Sequence, residues 1–270
     1  MKFTILGASG FIGSNMCRFL QEKGIEHLSP NKDFLFSKDI NLGHVIYCIG
    51  LTSDFRIRPM DTVKAHVCKL VEVLENSRFD SFTYLSSTRV YLNSRLETKE
   101  MINLVVNPNE AGDLYNISKL MGESICLSFP GKAIKIVRLS NVLGDYKTID
   151  NFLSSILHEI KTTDKLKLHS SLNSEKDYIA IEDVITLLYD ISLHGKYQVY
   201  NIASGKNTTN QEIVEVISAI KNFKLEDTQS MPEHKFLNID NTRIIEEFAY
   251  KPTDVLNKIS ILSKNFLNNN

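Results

Sequence analysis

The apolar positions in the first half of the chain follow two alternating rhythms. Phe3–Leu6, His44–Ile49, Phe82–Ser86 and Ala133–Leu139 are short, nearly continuous apolar runs, and Ile25–Leu28 is a shorter one. Runs of that length read as strands buried on both faces. Between them, Ile12–Lys23, Pro59–Asn76 and Leu114–Ser128 carry apolar residues at helical spacing, and Gly24 closes the first of these helices. Alternation of this kind predicts an α/β protein with a parallel sheet covered on both sides. Right-handed crossovers then make the sheet doubly wound, in the Rossmann manner. One stretch breaks the rhythm: Ser29–Gly43 carries no helical stripe, so the crossover after the second strand is short or irregular.

The second half has a different texture. Ile149–Lys161 reads as an amphipathic helix and Lys165–His169 as a short strand. Asp177–Ile181 is a short strand that runs into a helix over Glu182–Leu193. Gln198–Ile202 is a further strand, and Thr209–Lys221 a helix capped by Thr209. No stretch rich in Gly, Pro or Ser separates two independent units, so the C-terminal third is expected to pack on the sheet as a small lobe. The closing Asn268–Asn270 reads as a frayed tail.

Composition narrows the function classes. With 270 residues, 43% hydrophobic, and a net charge of −1, the chain has no electrostatic reason to bind nucleic acid or an anionic membrane. No apolar run is long enough to span a bilayer. The N-terminus enters a strand at once without a signal-peptide layout, so a cytoplasmic protein is expected. Cys17, Cys48, Cys68 and Cys126 are scattered in apolar surroundings, without metal-ligand spacing, and read as reduced core cysteines. No metal site is expected.

Three short segments carry candidate chemistry. The first is Leu6–Gly13, LGASGFIG, between the first strand and the first helix. Glycines there permit a tight turn or close approach of a phosphate, and the helix N-terminus offers free N–H groups. A plain glycine turn would look the same. At the end of the second strand, where an acid would bind the adenosine ribose, stand His27, Leu28, Ser29 and Pro30. Asn31 and Lys32 follow and can meet a 2′-phosphate, which tilts the reading toward NADP(H). Lys32 as a solvated loop lysine is an equal alternative, and Asp33 is placed to restore a preference for NAD(H).

The second segment is Tyr115–Lys119, YNISK, whose ends lie one turn apart on one helix face. An ammonium near a phenol favours the phenolate and suits proton exchange with a reacting oxygen. An ordinary helical Tyr/Lys pair is the alternative. The third segment is Ser86–Tyr91, SSTRVY, at the C-terminal end of a strand, where Ser87 can bond the reacting oxygen or simply cap the strand end.

Taken in order, GASGFIG, SSTRVY and YNISK resemble the extended short-chain dehydrogenase/reductase family, the group of nucleotide-sugar epimerases and dehydratases. RLSNVLGD (138–145), KDYIAIEDV (176–184), YNIASGK (200–206) and IDNTRIIEEFAYKP (239–252) extend the likeness along essentially the whole chain. The resemblance implies a dinucleotide loop at Gly7, Ser9, Gly10, Phe11, Ile12 and Gly13. It implies Tyr115 as general acid/base, Lys119 on the nicotinamide ribose, and Ser87 as the catalytic hydroxyl. Ser87, Thr88 and Asn141 fall on its substrate side. Residues 1–143 would then be mainly the NAD(P)-binding domain. Residues 144–270 would be mainly the nucleotide-sugar lobe, with segments returning to the sheet. A homodimer through the Pro59–Asn76 and Leu114–Ser128 helices is also implied.

Departures from the family pattern discriminate among its activities. The Asp-Glu pair of the 4,6-dehydratases is replaced by Thr88 and Arg89, which leaves no acid/base for eliminating water. The frequent Asn on the helix after the third strand is replaced by His66, either a polar group near the site or a helix histidine with a backbone or solvent partner. The histidine and arginine of the RDYIHV segment are Ala180 and Lys176. The missing ribose acid, the small size of the chain and the lack of the dehydratase carboxylates favour reduction of the 4-keto group of a nucleotide-linked (6-deoxy)sugar, with NADP(H) slightly preferred. A 4-epimerase with retained NAD(H) uses the same three residues. A non-catalytic dinucleotide-binding protein is disfavoured by their presence together.

Overall fold

The computed structural model describes residues 1–51, 55–129, 133–144, 152–226 and 231–268. Strands β1 (Lys2–Leu6), β2 (Glu26–Leu28), β3 (His44–Tyr47), β4 (Ser81–Ser87) and β5 (Ile134–Leu139) come first. Among them lie helices α1 (Phe11–Glu22), α2 (Pro59–Val63), α3 (Lys69–Asn76) and α4 (Asp113–Leu127). Next come β6 (Asn141–Leu143), α5 (Phe152–Thr163), β7 (Lys165–Leu166), β8 (Glu175–Ala180), α6 (Ile181–His194) and β9 (Val199–Ile202). The chain ends with β10 (Asn207–Thr209), α7 (Asn210–Ser218), β11 (Lys224–Leu225), α8 (Thr242–Phe248) and α9 (Val255–Asn268).

Six parallel strands form the main sheet in the order β2-β1-β3-β4-β5-β9. Strand alternation assigns its two faces. Phe3, Ile5, Ile46, Leu85, Val137 and Leu139 point to one side, where Met16 and Leu20 of α1 and Val184 and Leu188 of α6 cover them. Leu6, Val45, Tyr47, Phe82, Tyr84 and Ile136 point to the other side, under Leu70, Val73 and Leu74 of α3 and Cys126 of α4. The strand order reverses direction between β1 and β3. A crevice therefore opens beyond their C-terminal ends, the usual ligand position in such sheets. The fold is the expected α/β doubly wound sheet.

A separate apolar cluster holds α5, α7 and α9 around Leu157, Ile160, Leu166, Tyr178, Ile213 and Ile259. Two small sheets flank it, β10-β8-β6 and β11-β7. Several expectations need correction here. The strand expected over 165–169 pairs only at Lys165–Leu166. Residues 149–151 of the predicted helix fall outside the described residues, and α5 runs on to Thr163. The helix after Thr209 ends at Ser218, though Thr209 does cap it, in a full capping box with Glu212. Asn268 ends α9, so the tail reading applies only to residues 269 and 270, outside the described residues. Of the four free cysteines, Cys126 is buried, Cys17 and Cys48 are half-buried, and Cys68 is exposed rather than in the core.

The long helix expected over Pro59–Asn76 is continuous, but its middle turn, Lys64–Cys68, is a π turn. Two tyrosines of the neighbouring sheet meet it. The Tyr47 hydroxyl donates to the Ala65 carbonyl at 2.6 Å, and the Tyr84 hydroxyl to the His66 carbonyl at 3.3 Å. Both acceptors lie within the π turn. Gly122 on α4 faces the same place, where any side chain would collide with the Tyr84 hydroxyl.

Candidate active site

The glycine loop sits at the reversal point of the sheet. Gly7 has φ +85°, a left-handed conformation that disfavours a side chain. A Cβ there would also lie 2.9 Å from the backbone of Cys48 and Ile49, just past β3. A Cβ on Gly13 would collide with the Gly7 carbonyl oxygen, so the loop folds directly onto α1. The Gly10 N–H donates to the Gly7 carbonyl at 3.0 Å and closes the turn. Gly10 then occupies the N-cap of α1 without a side-chain cap, which leaves first-turn N–H groups to serve a ligand. Beside Gly10 a Cβ would meet only the Gly7 oxygen, at 3.3 Å, so the loop is open on its outer side. These are the properties a pyrophosphate needs, and the residues fit a dinucleotide.

In front of the loop lies a cavity of about 460 Å³. Gly10, Phe11 and Ile12 line one end, and Ser87, Thr88, Tyr115, Lys119 and Asn141 line the rest. Gly7, Ser9 and Gly13 are not part of this lining, and neither are Asn31 and Lys32, on the loop after β2. Asn31 uses its side-chain oxygen to accept the Asp33 N–H at 3.1 Å, which turns that loop.

Ser87 reaches the cavity because it is the last residue of β4. Its neighbour Ser86 points the opposite way and bonds the Glu123 carboxylate at 2.5 Å. The Ser87 oxygen accepts the Arg89 N–H at 3.2 Å, starting a 3₁₀ turn over Thr88–Tyr91. Tyr115 and Lys119 come from the first turns of α4 and are both buried. The Tyr115 ring packs between Phe55, centroids 5.1 Å apart, and the edge of His66, 5.3 Å away. Lys119 donates to the Leu85 carbonyl at 2.8 Å. Thr88 donates to the Leu139 carbonyl at 3.3 Å, and Asn141 to the Asp177 carbonyl at 2.8 Å.

Electrostatics correct one sequence expectation. Burial pushes the Tyr115 phenol above its ordinary range, and the groups that pull it back are the Ser87 hydrogen bond and the Arg89 charge. Lys119 was expected to do this. Instead, burial lowers its own ammonium to about 7, against the opposing pull of Glu123 and Cys48. Arg89 was noted in the sequence only as a missing carboxylate. In the structure it lines the cavity beside Tyr115. Phe55, Phe152 and Lys176 also line the cavity. Nothing in the local pattern of Phe55 or Phe152 signals this, since loop and helix-start aromatics read as packing residues.

A doubly wound sheet with a glycine loop at its reversal point and a Ser/Tyr/Lys cluster across the cavity defines a dinucleotide-dependent enzyme class. Residues 33–203 match the pattern of the NAD dependent epimerase/dehydratase family, and the chain belongs to that family. The match starts beyond the glycine loop, so the loop adds independent support. GDP-6-deoxy-D-mannose reductase of Pseudomonas aeruginosa is 24% identical, over 93% of this chain and 92% of that protein. The structure of RMD from Pseudomonas aeruginosa complexed with NADPH superposes with a TM-score of 0.80 at 20% identity, covering 99% of both chains. UDP-glucose 4-epimerase of Thermotoga maritima, solved with UDP-glucose, gives 0.78 at 16% identity, again over 99% of both chains. Among the described residues no helix is long and apolar enough to cross a membrane.

Proposed function

We propose that the protein reduces the 4-keto group of a nucleotide-linked (6-deoxy)sugar, with NADP(H) as the preferred dinucleotide. The observation that carries this reading is the convergence of Ser87, Tyr115 and Lys119 on one cavity in which Thr88 and Arg89 replace the dehydratase carboxylates. Gly7–Gly13 and the α1 N-terminus would hold the pyrophosphate, and Asn31 and Lys32 would meet a 2′-phosphate. When bound, the nicotinamide supplies a hydride to the carbonyl carbon. Ser87 donates a hydrogen bond to the carbonyl oxygen, and Tyr115 passes its phenolic proton to the alkoxide as it forms. Lys119 holds the nicotinamide ribose. The raised Tyr115 phenol favours the protonated form, which is the form a reduction consumes. The likeness to a reductase over nearly the full length points the same way.

The lobe around α5, α7 and α9 takes the nucleotide of the sugar donor, and Asn141 lies on that side of the cavity. Exposed Met60, Met121 and Leu127 support pairing of two copies through the helices that carry them. The likeness to a 4-epimerase favours a second reading, in which NAD(H) stays bound through the cycle.

Denaturing the purified protein and identifying the released dinucleotide separates the two. An empty site that takes up NADPH, followed by loss of nicotinamide absorbance with nucleotide 4-keto-sugars, is the expected result. Stoichiometric NAD in the purified protein overturns it in favour of the epimerase.

A further inference from the structure

Arg89 enters the scheme above only as the replacement of a carboxylate, yet it is held in an unusual way. Its backbone N–H donates to the Ser87 oxygen at 3.2 Å, so the side chain leaves the turn two residues beyond the reacting hydroxyl. The guanidinium lies 5.5 Å from the Phe55 ring, on which Arg56 also rests at 4.5 Å. The same ring packs on Tyr115, centroids 5.1 Å apart. Nη2 of Arg89 comes within 3.6 Å of the point where a Cβ on Gly112 would stand, at the N-cap of α4. These contacts fix the cation at the Tyr115 end of the cavity, away from the glycine loop.

The Arg89 Nε is buried without a hydrogen-bond partner, and a buried donor left unpaired needs an explanation. The acid whose charge reaches it is Asp113, already taken by the Asn107 N–H and the amides of Asn93 and Asn116. Of the cavity-lining residues, Asp177 is the carboxylate. It accepts from the Ser204 N–H, the Ser204 hydroxyl and the Gly205 N–H at 3.0, 2.9 and 2.7 Å. The other charges near Arg89 are positive, Arg56 and Lys176. Lys176 sits over the Phe152 ring at 5.4 Å, at the start of α5 and beside Asp177, whose carbonyl holds Asn141. That is the lobe side, where the nucleotide is placed and where an ammonium suits its diphosphate. Arg89 stands at the other end, where the reacting sugar carbon must lie, and it is left without an anion. A planar guanidinium fork fits a carboxylate through two parallel hydrogen bonds. There is room for one, because Arg89 also borders a second, open cavity of about 1190 Å³, with Asn93, Arg95 and Asn107.

We propose that Arg89 is a specificity-determining residue that takes a carboxylate carried by the sugar itself, so that the protein selects acidic nucleotide sugars over neutral ones. This rests on the reading that the cavity takes a nucleotide-linked sugar, and it holds for reduction and epimerisation alike. The test is calorimetric titration of the full chain with NADPH present, so that no hydride can move onto a sugar that lacks a ketone. Two matched pairs serve as probes: UDP-glucuronate against UDP-glucose, and GDP-mannuronate against GDP-mannose. In at least one pair the acid should bind about tenfold tighter than its neutral twin, the worth of one charged hydrogen bond. Arg89→Met should erase that difference and leave the affinity for the neutral sugar where it was, and Arg89→Lys should restore part of it. Equal affinity for acid and neutral sugar in both pairs of the wild type overturns the proposal, and needs no variant to fold. An Arg89→Met variant that keeps the preference also overturns it. So does one that weakens acid and neutral sugars alike, which would place the guanidinium on the diphosphate. If none of the four ligands binds, the nucleotide-sugar reading falls and the proposal with it, whereas binding without preference sinks the proposal alone.

Discussion

Behind Tyr115 and Lys119 the molecule is a closed polar network, whereas in front of them it is sparse. At the back, Arg138 forks onto Glu123 at 2.6 and 3.0 Å and reaches the Tyr91 hydroxyl at 2.7 Å. The Arg138 and Glu123 side chains are each about 5% exposed, and Ser86 closes the set. At the front, the Arg89 guanidinium has no hydrogen-bond or ion-pair partner among the described residues. It rests 5.5 Å from the Phe55 ring, and its charge lowers the Lys176 ammonium after burial has done so. The nearby Asp113 carboxylate is spent on the Asn107 N–H and on the side chains of Asn93 and Asn116. The back wall is preorganised and holds the reacting groups in place. Among the described residues the cations of the front wall have no hydrogen-bond or ion-pair partner, as suits an anionic ligand.

The largest effect is expected at the reacting centre. Tyr115→Phe should lower kcat by about 10²–10⁴-fold while leaving dinucleotide uptake intact, because only the proton donor is lost. Turnover near the wild-type level would move the chemistry away from this wall. The next largest effect is on stability. Glu123→Ala leaves Arg138 buried and unpaired and should cost about 3–5 kcal/mol in denaturant unfolding. A cost below 1 kcal/mol would mean that the back wall is not preorganised by this pair.

The pH dependence is of intermediate size and has a definite sign. Lys119 is charged below about 7 and loses its proton above it, so kcat/KM for reduction should fall as pH rises through about 7. Lys119→Arg, which stays charged, should remove that limb even if the rate drops. The same depressed value makes the unfolded chain the stronger proton binder between about 7 and the ordinary lysine value of 10.5. Stability should therefore rise with pH across that window.

The two walls also differ in how far the sequence discloses them. The sheet was legible because β1, β3, β4 and β5 are apolar on both faces and need no partner to be recognised. Ser87, Tyr115 and Lys119 were legible because a strand end and a helix face place them by local geometry alone. The π turn was hidden, since its contacts are to two tyrosines from distant strands. His66 was left open for the same reason: its partner at Nδ1 is a Ser118 that is 52 residues away. The front wall rests on β6 and β10, of three residues each, which show no period that a pattern search can find. Arg89 was visible as the absence of an acid. Its place beside Tyr115 depends on how the turn after β4 folds back onto Ser87.

Arg89→Met probes the front wall with little effect on the fold. Removing a half-buried cation from beside Lys176 and Arg56 relieves like-charge repulsion and breaks no ion pair among the described residues, so unfolding should change by no more than about 0.5 kcal/mol. The Lys176 ammonium, freed of that charge, should titrate higher. The loss should fall on the substrate instead. Methionine keeps the packing against Phe55 but offers no donor, so KM for the keto-sugar should rise by about tenfold, the loss of one charged hydrogen bond. The Tyr115 phenol should also move further up, since Arg89 is one of the two groups that lower it. A Met variant as unstable as Glu123→Ala would place Arg89 in the structural network and erase the contrast between the walls. One with unchanged KM would leave the cation facing solvent and shift substrate recognition to Lys176 and the lobe behind it.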